Sequence, residues 1–134
     1  LSVEQTVVGA IYIIGAVMWL AGFAIEVIAD QQKSRFRADP ANTGRFINVG
    51  LWAHSRHPNY LGEIVLWAGI AVMAIPYLSG TQWMVMLSPL FVYALLTRIS
   101  GIPTLVRRGE ELWGDDPAYQ AYVANTPRLL PRLR

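Results

Sequence analysis

Ser55-Arg56-His57-Pro58-Asn59-Tyr60-Leu61-Gly62-Glu63 stands directly before residues 64–97, a run of 34 residues without one charged side chain. A transmembrane helix needs roughly 20 apolar residues, so this run is short for two full spans and a turn. The first of the two spans must therefore take residues 58–63 as its polar end. A lone Arg or Glu beside lipid is expensive and has to be paired or to face a ligand. A dense polar cluster at the mouth of an apolar hairpin points to a polytopic membrane protein that holds an anionic, polar ligand at its cytoplasmic face.

Composition agrees with a membrane protein. Of 134 residues, 54% are hydrophobic and 15% are charged, with a mean hydropathy of +0.34. The sequence shows no Ser/Gly-rich linker, low-complexity tract or internal repeat, so residues 1–134 read as a single membrane domain. Cysteine is absent, which excludes disulfides, thiolate catalysis and Cys-ligated metals. The chain starts at Leu1, and no signal-peptide n-region precedes its apolar stretch. That leaves open whether it is the C-terminal part of a longer protein.

The net charge of +2 hides an asymmetry. Five of the eleven basic residues fall within 33–56 and six within 98–134, while the connection at 76–82 has none. The positive-inside rule then puts both basic stretches and the C-terminus in the cytoplasm, and the connection and the N-terminus outside. No basic–aromatic interleaving suggests nucleic acid, so the pI of about 9.2 reads as topology.

The expected architecture is all-α and integral to the membrane, with three transmembrane helices plus short cytoplasmic helices. The first span covers 7–28 and runs on as a helix toward Asp39-Pro40, the first firm stop. The segment 41–52 is a loop whose Phe46, Ile47, Leu51 and Trp52 read as headgroup-level residues. The second helix starts at Pro58, which suits a first helical position, and Gly69 with Ala68 allows close packing. The third runs from about Gln82 to Thr97, kinks at Pro89 and ends at Gly101-Ile102-Pro103. A short helix follows over 107–113. Asp116-Pro117 caps a last helix through Val123.

Several side chains could carry chemistry. If the second helix begins at Pro58, its free N–H groups make a ready phosphate site, with Arg56 and His57 in front. Asn59, Tyr60 and Glu63 then share one face. The bland alternative pairs Glu63 with Arg56 and has His57 cap the helix. Glu26, Asp30, Lys33 and Arg37 share another face. Asp30 and Arg37 could grip a ribose and a phosphate, whereas Lys33 reads as part of an ion-pair ladder. Glu26 reads as protonated or paired with an Arg. Arg107 and Arg108 could reach a phosphate and Tyr119 and Tyr122 could face inward, as a cytoplasmic cover; the alternative is a solvated face. Pro58 keeps His54 and His57 off one regular helix, and no H-E-x-x-H pattern is present, so no metal site is expected.

Asp30, Arg37-Ala38-Asp39-Pro40, Gly50-Leu51-Trp52, the 55–63 stretch, Gly101-Ile102-Pro103, Tyr119, Tyr122 and Pro131 together resemble the DUF1295 family. That family is similar to the C-terminal part of the steroid 5-alpha-reductase superfamily. The resemblance implies a membrane enzyme that uses NADPH in a cytoplasm-facing cavity to reduce an activated C=C bond of a lipid-like enone, such as a steroid. By position, Asp30, Arg37, Asn59 and Glu63 match cofactor contacts, with Arg56, His57 and Tyr60 flanking them. The reductases draw their carbonyl-polarising Tyr and Glu from earlier helices, so the catalytic acid is unassigned here. Arg56-His57-Pro58, Tyr60 and Gly62, with Glu110-Glu111-Leu112, Gly114, Tyr119 and Tyr122, also resemble isoprenylcysteine carboxyl methyltransferases, which bind S-adenosylmethionine. A non-catalytic membrane fragment is a third expectation. Asn59, Glu63 and Asp30 favour the reductase, as do the cations of 33–56 and 107–108.

Overall fold

The structure, a computed structural model, describes residues 2–99 and 101–130. The described residues form helices and turns, and three helical stretches are long and apolar enough to cross a membrane: Val3–Ala38, Pro58–Tyr77 and Gly80–Trp113. The protein is an all-helical integral membrane protein. Ile13, Val17, Leu20 and Phe23 on the first stretch and Met84, Leu87, Leu90 and Phe91 on the third are all exposed. In water so much apolar surface would aggregate, whereas in a bilayer it meets lipid.

Helix α1 (Val3–Ala38) is one piece of 36 residues. A reciprocal Ser2–Gln5 capping box starts it, with Gln5 N–H on Ser2 Oγ at 3.1 Å. It stops where Asp39 turns extended before Pro40, and the Asp39 carboxylate takes up Ala41 N–H at 2.9 Å. The expected stop at Asp39-Pro40 is therefore observed.

Helix α2 (Pro58–Ala74) begins at the expected proline and returns along α1. Their seam is built from missing side chains. Gly15, Gly22 and Ala29 recur every seven residues on α1, all buried, and meet buried Gly62 and Gly69 on α2. A Cβ on Gly69 would lie 2.6 Å from the Gly15 carbonyl oxygen, and one on Gly62 would lie 2.6 Å from the Gly22 carbonyl oxygen. Backbone thus packs on backbone, as small residues allow in lipid. Gly69 is on this seam as expected. Ala68 is only half-buried, and Gly62 is the second close contact.

The third stretch changes its winding. Residues Gly80–Leu87 are a 3-10 helix, α3 (Ser88–Ala94) follows, and Leu95–Ile99 is a π turn. Pro89 does not bend a continuous α-helix; it sits in the first turn of α3, where its missing N–H is no loss. Gly101-Ile102-Pro103 does not end the helical stretch either. It opens α4 (Gly101–Trp113), because a proline within the first four residues of a helix breaks no internal hydrogen bond. Helix α5 (Pro117–Asn125) starts on the Asp116 side chain, which accepts from Ala118 N–H at 2.9 Å.

Candidate functional site

The polar end of the bundle encloses a cavity of about 650 Å³. Its walls come from the last turns of α1, the 42–57 connection, α4 and α5. Five cations line it: Lys33, Arg37, Arg45, Arg56 and Arg108; among the described residues no carboxylate does. Six aromatic side chains share the walls: Phe36, Phe46, Trp52, Trp113, Tyr119 and Tyr122. Like charges held in a concave, partly apolar site focus a positive potential that only an anion relieves.

Trp52 anchors the connection. It is 4% exposed. Its Nε1–H donates to the Ala29 carbonyl at 3.0 Å, and Lys33 Nζ lies 5.1 Å from its ring centroid. Gly50 adopts φ +62°, which brings Leu51 N–H onto Gln32 Oε1 of α1 at 2.9 Å. Phe46 sits against Trp113, Tyr119 and Tyr122, with ring centroids 6.0, 5.1 and 5.3 Å away. Phe46 and Trp52 thus pack against protein groups, the aromatic rings of the cover and the Ala29 carbonyl.

The cover is latched to this connection through main-chain groups. Tyr122 O–H donates to the Trp52 carbonyl at 2.6 Å. Arg56 donates its backbone N–H to the Pro127 carbonyl at 2.9 Å and its Nε–H to the Thr126 carbonyl at 3.2 Å. Ser55 Oγ–H donates to the Leu129 carbonyl at 2.8 Å, and Trp113 Nε1–H to the Gly44 carbonyl at 2.7 Å. Burial pushes the Tyr122 phenol up to about 12, although Arg56 opposes the shift. Tyr122 therefore keeps its proton and its latch at neutral pH. Burial raises Tyr119 too.

The expected cluster at 55–63 is divided at Pro58. Arg56 and His57 line the cavity with Arg37, Arg108, Tyr119 and Tyr122. Asp30, Asn59, Tyr60, Glu63 and Arg107 do not. The first turn of α2 therefore contributes no side chain to the cavity lining. Asn59 Nδ2–H instead reaches Asp30 Oδ1 at 3.3 Å, and its own Oδ1 accepts Tyr60 N–H at 3.0 Å. Tyr60 joins the two groups by stacking on His57, centroids 5.7 Å apart and planes 13° from parallel.

The bland alternatives also resolve. Arg56 turns to the Thr126 carbonyl and not to Glu63. His57 makes no side-chain cap. Lys33 belongs to the cavity wall and not to an ion-pair ladder on α1. Sequence reasoning missed Lys33, Arg45, Phe46, Trp52 and Trp113 as wall residues. A weak signal was available, since Lys33, Phe36 and Arg37 share one helix face.

The fold and cavity define a three-span helical membrane protein with a cationic, aromatic-walled pocket at one end of its bundle. The chain belongs to the DUF1295 family, a steroid 5-alpha-reductase-like family whose model, described as a protein of unknown function, matches residues 1–126. It is also similar to an uncharacterized protein of Schizosaccharomyces pombe, 28% identical over 131 residues. That match covers 83% of this chain and 36% of the yeast protein. The chain thus spans little more than a third of that relative's length. No solved structure matches the chain.

Proposed function

We propose that the protein is the cofactor-binding part of a membrane reductase that takes NADPH in this cavity and acts on an activated C=C bond of a lipid-like enone. One observation carries the reading: among the described residues, five cations and no carboxylate face a space of about 650 Å³ between aromatic walls. NADPH offers a pyrophosphate, a 2′-phosphate and two flat rings, which matches cations and aromatic faces together. The volume lies within the roughly 300–1,000 Å³ range of small-molecule sites. The positive-inside rule puts this end of the bundle in the cytoplasm.

Arg37, Arg45, Arg56 and Arg108 would hold the phosphates, and Phe46, Trp113 and Tyr119 would flank a ring. Asp30, Asn59 and Glu63 stand outside the cavity wall, beyond Tyr60; by the resemblance they would meet the nicotinamide ribose where the cofactor extends past His57. The cofactor, once bound, supplies a hydride. The groups that polarise the substrate carbonyl would come from the longer part of the protein that relatives possess.

S-adenosylmethionine fits less well. Its single carboxylate could meet one cation, but its sulfonium and ammonium find no carboxylate on the described wall, whose five cations repel both. Equilibrium binding of each cofactor to the detergent-purified protein tests the choice. NADPH is expected to bind, with affinity reduced tenfold or more by Arg37→Ala and severalfold by Asn59→Ala and Glu63→Ala. Binding of S-adenosylmethionine alone would move the protein to the methyltransferases.

A further inference from the structure

His57 is 7% exposed and forms part of the cavity wall. Its Nδ1 is buried and has no hydrogen-bond partner, the only such side-chain atom among the described residues. Nδ1 faces protein and His57 lines the cavity, which leaves Nε2 as the ring nitrogen that can meet a ligand. The backbone around it is pinned, with His57 N–H on Ser55 Oγ at 3.2 Å.

An imidazole must place its protons somewhere. A proton on Nδ1 would bury an N–H with no acceptor, whereas a bare lone pair there is the smaller loss. The surroundings push the same way. Lys33 from α1, Arg56 from the connection and Arg128 from the C-terminal segment all act on the ring, and positive charge favours a lone pair over an N–H. Tyr60 from α2 covers one face. Burial first, then these cations, lower the imidazole to about 4. A second proton would create the imidazolium in the same positive field.

We propose that His57 serves this cavity as an imidazole protonated on Nε2 alone near neutral pH, which donates to the anionic ligand and takes no part in proton transfer. The inference rests on the reading of the cavity as a site for an anionic cofactor. It adds that the one histidine beside the ligand is a hydrogen-bond donor of fixed state. The proton that completes a reduction has to come from another group.

Two measurements on the full chain in detergent test it. The first is the ¹⁵N spectrum of His57, assigned with His57→Gln and recorded from pH 5.5 to 8. The Nε2–H tautomer is expected throughout, with no titration, both without ligand and with NADPH. The second compares NADPH and inorganic pyrophosphate binding to two variants. Gln can set its amide donor where Nε2 stands, and Asn reaches only as far as Nδ1. His57→Gln is expected to stay within threefold of the wild type, and His57→Asn to weaken tenfold or more. A titration near the ordinary value, an Nδ1–H tautomer, or equal losses in both variants would overturn the inference. Binding of neither probe by the wild type overturns the cofactor reading and the donor role with it, while the unliganded spectrum still decides the protonation state.

Discussion

The α1–α2 seam and the cavity at its end are built by opposite means. The seam works because side chains are missing: Gly15, Gly22, Gly62 and Gly69 let two backbones touch. The cavity works because side chains are long, with Arg and Lys stems and aromatic rings reaching inward from four separate parts of the chain. The first has no slack, since any added atom meets backbone. The second can rearrange, since most of its contacts are the ends of flexible groups. Rigidity in the membrane thus supports adaptability beyond it.

The strongest way to break this contrast is at the seam. Gly62→Val puts atoms where the Gly22 carbonyl and Glu26 N stand, so the helices must separate. Loss of a monodisperse, cooperatively melting protein is expected by size exclusion and thermal denaturation. Gly9→Ala meets nothing within 4 Å and is expected to behave as wild type. At the cavity, Arg56→Ala removes one cation and the side-chain bond to Thr126. A charge-assisted contact is worth about 1.5–3 kcal/mol, so NADPH affinity is expected to fall tenfold or more in a titration, with the protein still folded.

Acid distinguishes the two regions as well. The folded value of His57, about 4, lies below its ordinary 6.5. The unfolded chain therefore binds more protons between these values. The stability that His57 contributes is complete above about 6.5 and is lost as pH falls toward 4, by at most ~3 kcal/mol. Melting temperature is expected to drop across that window in wild type, and less in His57→Gln. Tyr122→Phe keeps the ring beside Phe46 and removes the donor to Trp52, which costs about 1–2 kcal/mol. Faster hydrogen exchange in 117–126 is the expected sign, with the span helices unchanged. The smallest effect belongs to Arg107→Ala. Arg107 lies outside the cavity wall, so NADPH affinity is expected to stay within twofold.

Much of the scaffold is local information and could be read from residues. Pro58 starts α2 and Asp116 caps α5 because a proline and a capping carboxylate act on their own neighbours. The three spans follow from length and hydropathy. The seam was half visible, since Gly69 stands out but its partners seven residues apart on α1 need the pairing to be known. The cavity was least legible. Arg45, Phe46 and Trp113 are ordinary surface types until the fold brings the 42–57 connection against α4 and α5. The division at Pro58 had no local sign either, because neighbours in sequence point to different sides once the helix begins.

The unbroken length of α1 has a consequence for access. A 36-residue helix is about 54 Å long at 1.5 Å per residue, and the hydrocarbon layer is about 30 Å thick. An upright α1 extends well past the lipid, and Lys33 and Arg37 belong to its last turns. The cavity is therefore held at the end of one continuous rod, beyond the apolar part of α1. If the proposed reading holds, a water-soluble cofactor would enter from the polar end, and a lipid-like substrate would come sideways between the spans. Two compounds of opposite solubility would then have separate doors to one protein.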